Sequence, residues 1–190
     1  MTEKRFSNVV GFDDAPFDRH HTGCVKIVGA VYAGLRLDGI VIGEVEKDGF
    51  DAAGEIAGRI ETSGFLEHLQ MIMLQGIAFG GFNVVDVFTL YNRLGLPVLV
   101  VSRKVPDFEA IKKALTCGVI PHGQAKWNLI ERLAPMEPVK NVWVQRVGLS
   151  LEQTTDIMDR FAIYGNIPEP LRSAHLIAGA LTRGYSRGRP

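Results

Sequence analysis

Acidic pairs at strand ends, a histidine on a helix face and short runs of bases are the residue types in this chain that could do polar chemistry. The adjacent carboxylates Asp13 and Asp14 close the apolar run VVGF at residues 9–12. Side chains alternate along a strand, so only one member of such a pair faces a given side of a sheet. One reading is a turn, because Ala15-Pro16 breaks the strand immediately afterwards. The other is an oxygen ligand for a hard divalent cation. The spacing leaves both open. Asp51 precedes a helical pattern, as an N-cap would, and Asp86 follows Asn83, the expected cap of the next helix, by three residues. Both have sufficient structural reasons to be where they are. His175 lies four residues after Leu171, on or beside the stripe Leu171, Ala174, Ala178 and Leu181 of the last helical segment. A histidine there is either a satisfied core residue or a group with a metal-binding or catalytic role. His20 and His21 point apart in an extended chain and make a poor chelate.

Two basic groups complete the inventory. Arg103 and Lys104 follow the apolar run PVLVV, and Arg183, Arg187 and Arg189 stud a C-terminal segment that holds no acid. Each is solvated surface or a phosphate contact. No P-loop, no GxGxxG after a strand and no GxSxG elbow is present, which argues against nucleoside-triphosphate chemistry and hydrolase-type acyl transfer.

The elements that would carry these residues are legible from periodicity. A strand is expected over residues 8–13, then an antiparallel hairpin with strands near 25–33 and 39–46. Ala53, Ile56, Ala57, Ile60 and Gly64 fall at helical spacing, so a helix is expected over 52–69. A fully apolar strand follows near 71–75, then a glycine-rich loop. The next helix carries Val84, Val87, Phe88, Tyr91 and Leu94, with Gly95 as its stop and Pro97 barring continuation. PVLVV is another buried strand, helices are expected at 108–116 and 124–134, and NVWVQRV is a late strand. Ser150 and Gln153 form a capping box for a helix over 151–164, and a last helix runs from about Pro168 to Thr182. A hairpin followed by alternating helices and buried strands predicts an α/β fold with a mixed sheet covered by helices. The chain reads as one domain over 1–182 with a basic tail at 183–190.

Composition bounds the function. The chain has 190 residues, 46% hydrophobic and 22% charged, enough for a substantial core without staples. Lys plus Arg equals Asp plus Glu at 21 each, so any electrostatic site must arise from local clustering. Cys24 and Cys117 are far apart with no CxxC, and are expected to be buried thiols in a reducing cytoplasm. No signal peptide and no membrane-spanning run is expected.

The stretch GNIPEPLRSAHLIAG, residues 165–179, resembles the opening of the last helix in endonuclease V, a family with an LPEPTR-x-A-H or -D stretch whose last residue belongs to its active site. Pro168, Glu169, Pro170, Arg172, Ala174 and His175 carry the match. VGFD resembles that family's first strand, which implies that Asp13 binds metal. Residues 71–104 resemble its strand, glycine loop, helix and strand ending in a basic pair. The combination of GFDDAPF, GIAFGGFNVVD and PEPLRSAH is more similar still to a mainly archaeal family of uncharacterised domains, number ninety-nine among the domains of unknown function, itself related to endonuclease V. The resemblance implies a ribonuclease-H-like mixed sheet, Mg²⁺ or Mn²⁺ as cofactor and a nucleic acid, RNA or DNA, as partner.

The sequence also departs from endonuclease V. The aspartate of a DGxG motif at the end of the middle strand is replaced by Gln75, a neutral amide that coordinates through oxygen but carries no charge. A PG-x-L-x-F-R-E segment, which supplies a glutamate and part of a base-prying wedge, has no counterpart in EVEKDGFDAAGEI; Asp51 is the nearest acid and Glu55 sits one turn into the helix. Specificity for deaminated bases is therefore not expected to carry over. The resemblance implies Asp13, Asp51 and His175 as catalytic residues, and Asp13, Asp14, Asp51 and Gln75 around the metal. Gly76, Gly80, Gly81, Asn83, Lys104 and Arg172 would contact substrate, with the tail arginines on phosphate. Three readings follow: a metal-dependent nuclease, a non-catalytic nucleic-acid binder on the same fold, and an enzyme for a small phosphorylated substrate.

Overall fold

The computed structural model describes residues 6–186. Three strands open the chain: β1 (Asn8–Asp14), β2 (Cys24–Ala33) and β3 (Arg36–Glu46). They are followed by α1 (Ala52–Thr62), β4 (Met71–Gln75), a ribbon of β5 (Ala78–Phe79) and β6 (Asn83–Val84), and α2 (Val87–Leu94). Then come β7 (Val98–Ser102), α3 (Phe108–Thr116), α4 (Gly123–Arg132), β8 (Glu137–Val139), β9 (Val142–Val147), α5 (Leu151–Phe161) and α6 (Glu169–Arg183).

Seven strands form one mixed sheet in the order β3-β2-β1-β4-β7-β9-β8. β1, β4 and β7 run parallel, while β2, β3, β8 and β9 pair antiparallel. This is the expected mixed sheet, an antiparallel hairpin beside parallel strands, and helices cover it on both faces. β4 reads MIML because its position between β1 and β7 buries every one of those side chains. Val10, Phe12, Ile72, Leu74, Val98 and Val100 form one core with Ile56, Ile60 and Leu90 of α1 and α2. Val9, Met71, Met73, Leu99 and Val101 form the other with Met158 and Phe161 of α5 and Leu171, Ala174 and Ala178 of α6. Gly11 lies under α6; a Cβ there would stand 2.6 Å from the Pro170 carbonyl carbon, so only glycine lets the helix come this close to β1.

Several local expectations are corrected. The helix expected over 52–69 ends at Thr62, because Ser63 caps it and Gly64 turns at φ +76. Asn83 does not cap α2. It sits in β6, and Asp86 is the cap, accepting from the backbone N–H groups of Phe88 and Thr89. The helix expected over 124–134 spans Gly123–Arg132, and α5 stops at Phe161, three residues before the expected 164. Leu181, expected on the buried stripe, is exposed, because it borders an open pocket with Phe17, His21 and Val25 and does not pack into the core. Cys24 and Cys117 are free and exposed, not buried: one opens β2 and the other caps α3. Arg183 belongs to α6, and Arg187 and Arg189 lie outside the described residues. Among the described residues no helix is long and apolar enough to cross a membrane.

Candidate active site

The parallel register of β1 and β4 pairs Phe12 with Leu74, so the next residues on each strand, Asp13 and Gln75, step off the carboxyl edge together. By strand alternation both face the side of Val9, Met71 and Met73, the side that α6 covers. Leu171, Ala174 and Ala178 hold α6 on that face, and His175 lies one turn beyond Leu171, over Asp13. The His175 imidazole Nδ1 is 2.8 Å from Asp13 Oδ2.

Asp13 is 5% exposed. Burial pushes its carboxyl pKa above the ordinary value, and the hydrogen bond and charge of His175 pull the other way. Its Oδ1 accepts from the Asp14 N–H at 3.0 Å. A carboxylate offers about four lone-pair sites, so acceptor capacity remains on Asp13. His175 keeps 30% of its side-chain surface, and its Nε2 has no hydrogen-bond partner among the described residues. The Gln75 amide oxygen is buried with no hydrogen-bond partner among the described residues. Buried acceptors are rarely left so, because an unmet one costs roughly 1–3 kcal/mol.

The other predicted residues lie apart from this pair. Asp14 points to the opposite face of the sheet and accepts from the Gly80 N–H at 2.7 Å. Burial, and then the charge of Asp13, push its pKa up to about 6. Asp51 stands before α1 but makes no side-chain cap. Its carboxylate accepts from the Glu46 N–H at 3.2 Å and from Asn83 Nδ2 at 2.5 Å. Asn83 is fully buried, accepting from the Ala52 N–H and also donating to the Glu46 carbonyl, so its amide ties the 46–51 loop to α1. The Gly80 carbonyl accepts from the Asp48 N–H, and the Gly76 N–H donates to the Val101 carbonyl. Gly81 and Lys104 are exposed. Arg172 pairs with the buried carboxylate of Glu169, its Nε 2.9 Å from each oxygen. The expected four-residue metal set thus divides: Asp13 and Gln75 share a face with His175, while Asp14 and Asp51 are bonded elsewhere. Among the described residues no group of three or more His, Cys, Asp or Glu side chains is placed to hold a metal ion.

Residues 5–182 match the family described as Endonuclease dU. The chain belongs to that family. A UPF0215 protein of Deinococcus radiodurans is 50% identical over 184 residues, covering 97% of this chain and 93% of that one. The crystal structure of an Archaeoglobus fulgidus protein of unknown function superposes with a TM-score of 0.84 at 30% identity, over 92% of this chain and 97% of the other. Endonuclease V of Ciona intestinalis, solved with a 24mer DNA containing an inosine followed by a ribo-adenosine, superposes with a TM-score of 0.50 at 16% identity, over 89% of this chain and 83% of that one. The fold of the family member described here is thus endonuclease-V-like.

Sequence reasoning passed over Glu169 as a buried partner, although its i,i+3 spacing to Arg172 in PEPLR is a readable signal. Lys126 was also missed. It is fully buried, with Nζ 2.6 Å from the Asp48 carbonyl, and no local pattern marks a lysine for burial.

Proposed function

We propose that this protein is a metal-dependent nuclease whose reaction centre is the Asp13–His175 pair. The observation that carries the reading is the 2.8 Å contact between them at the carboxyl edge, beside the unpartnered oxygen of Gln75. Asp13 and Gln75 supply hard oxygen donors, and Mg²⁺ takes one or two protein carboxylates with water and phosphate completing its sphere. The donors fit a single Mg²⁺ or Mn²⁺ ion. They do not fit a pair of ions, because Asp14 and Asp51 are bonded elsewhere. Such an ion supplies positive charge against the phosphate oxygens.

The side chains supply the rest. Asp13 accepts the Nδ1–H of His175, which leaves Nε2 as an acceptor turned away from the carboxylate. Nε2 takes a proton from the attacking water as its oxygen bonds to phosphorus. The bond from phosphorus to the leaving sugar oxygen breaks, and that oxygen is protonated from solvent. The family description pairs an endonuclease with dU, so deoxyuridine-containing DNA is the first substrate to offer, with structured RNA beside it.

Two measurements test the proposal. Mn²⁺ titration by calorimetry is expected to show binding by the wild type and none by Asp13→Asn. Cleavage of dU-containing DNA is expected to fall by roughly 10²-fold or more in Asp13→Asn, the scale of a lost acid–base group. A fully active Asp13→Asn variant refutes the assignment.

Gln75 favours one second reading, a nucleic-acid-binding protein without cleavage, because the amide removes a charge from the metal donors. That reading expects salt-sensitive binding that survives both EDTA and Asp13→Asn, with no cleavage by the wild type.

A further inference from the structure

A cleft of about 540 Å³ opens on the same edge of the sheet, lined among others by Arg103, Asn141, Tyr164, Asn166 and Arg172. Its place follows from the topology. Arg103 is the first residue after β7, the strand beside β4, and Val101 of β7 pairs with Gln75. Asn141 precedes β9, which pairs Trp143 with Ser102 at this edge. Tyr164 and Asn166 lie on the connection between α5 and α6. Arg172 stands three residues before His175 on α6, on neighbouring positions of one helix face. The cleft therefore begins one helical turn from His175.

Its lining has a consistent chemistry. Arg103 is exposed and has no acidic partner among the described residues. Arg172 is clamped by Glu169, which fixes the plane of its guanidinium; the carboxylate is consumed by that pair. Tyr164 is 83% exposed, an aromatic ring left in solvent at the rim. Asn141 donates to the Asn166 side-chain oxygen at 3.2 Å, which leaves an amide oxygen on Asn141 and an amide N–H on Asn166 unused. Guanidinium groups meet phosphate, an exposed ring stacks on a base, and paired amides read a base edge.

We infer that this cleft binds a single-stranded segment of nucleic acid flanking the phosphate to be cleaved, with Tyr164 stacking on a base and Arg103 and Arg172 on the adjoining phosphates. The inference rests on the nuclease reading and adds the strand's path. A duplex keeps its base faces covered by stacking, so a ring placed to stack selects an unpaired base.

The test is fluorescence anisotropy with labelled single-stranded and duplex oligonucleotides, in EDTA so that no cleavage intervenes. Arg103→Ala and Tyr164→Ala alter exposed side chains, and thermal unfolding checks that both variants stay folded. Tyr164→Ala is expected to raise Kd for the single strand about tenfold, within the range of one lost base–aromatic stack, while Tyr164→Phe keeps wild-type affinity. Arg103→Ala is expected to lower the slope of log K against log salt by about 0.7, one phosphate contact on a single strand. Arg36→Ala, at the opposite edge of the sheet, is the control and is expected to bind as wild type. Wild-type binding unchanged by Tyr164→Ala and Arg103→Ala overturns the cleft while leaving the nuclease reading to its own assay. Equal weakening by Arg36→Ala also overturns it. Absence of both binding and cleavage in the wild type overturns the two together.

Discussion

At the scale of single residues, Gln75 is where the proposed cation site can be tested most directly. Its oxygen is buried and unpartnered among the described residues, on the same face and edge of the sheet as Asp13, yet it contributes no charge. Gln75→Glu is nearly isosteric and adds that charge. Without metal, a second carboxylate near Asp13 repels it and meets a desolvation cost, so the variant is expected to unfold at a lower temperature than wild type in EDTA. With Mn²⁺ the same charge becomes a ligand, and binding at about a hundred times Kd would return roughly 2.7 kcal/mol. Thermal unfolding with and without Mn²⁺ should therefore reverse the order of the two proteins; an order that does not depend on metal counts against a cation at this place. Lys126 makes a separate residue-level prediction. Burial holds its pKa below the ordinary 10.5, although the charges of Asp48 and Glu46 oppose the shift. A lysine whose folded pKa lies below its unfolded value destabilises the fold while it is charged. That penalty is present below the folded pKa and is relieved as pH rises towards 10.5. Wild type is accordingly expected to gain stability relative to Lys126→Met between neutral pH and pH 10.5, measured by urea unfolding across that range. A constant difference would remove the buried charge as its cause.

At the scale of elements, the site depends on how closely α6 approaches β1, and Gly11 sets that approach. Gly11→Ala drives a methyl group into the Pro170 backbone, so the helix must lift or tilt. Overpacking of this kind costs about 1–3 kcal/mol, and the shift also moves His175 off Asp13. A lowered melting temperature together with a fall in kcat for dU-containing DNA is expected; normal kcat at lowered stability would mean the pair tolerates displacement. Element positions were largely legible in the sequence, for identifiable reasons. β4 and α3 follow from an uninterrupted apolar run and a clean helical stripe, and the Ser150–Gln153 capping box is present. The errors lie where a local signal competed with a tertiary one. Asn83 resembles a cap, but its amide is committed to Ala52, Glu46 and Asp51, contacts 31 or more residues away in sequence. Asp86 took the capping role instead.

At the scale of the whole molecule, the division of the acids was legible only in part: alternation sets Asp13 and Asp14 on opposite faces, but not which face carries the site. Asp13 and Asp14 adjoin in sequence, but their faces are told apart only by α6 on one side and by Gly80 on the other. Asp51 looks like a supporting ligand until the loop before α1 closes on Asn83. Such facts belong to the packing of helices on both faces of one sheet, which no local pattern encodes. Charge is a whole-molecule property too, and it constrains how a nucleic acid can arrive. With 21 bases against 21 acids there is no net field to draw in a polyanion, so under the proposed function attraction must come from local clusters, of which the cations at the carboxyl edge are the ones beside the site. There Arg103 and Lys104 are exposed without acidic partners among the described residues, while Arg172 is paired with Glu169. Two to three phosphate contacts on a single strand give a slope of log K against log salt of about −1.4 to −2. Titration between 50 and 300 mM salt is expected to find that shallow dependence. A slope several times steeper would require more phosphate contacts than these cations can make, and would move the proposed nucleic-acid interface away from this edge.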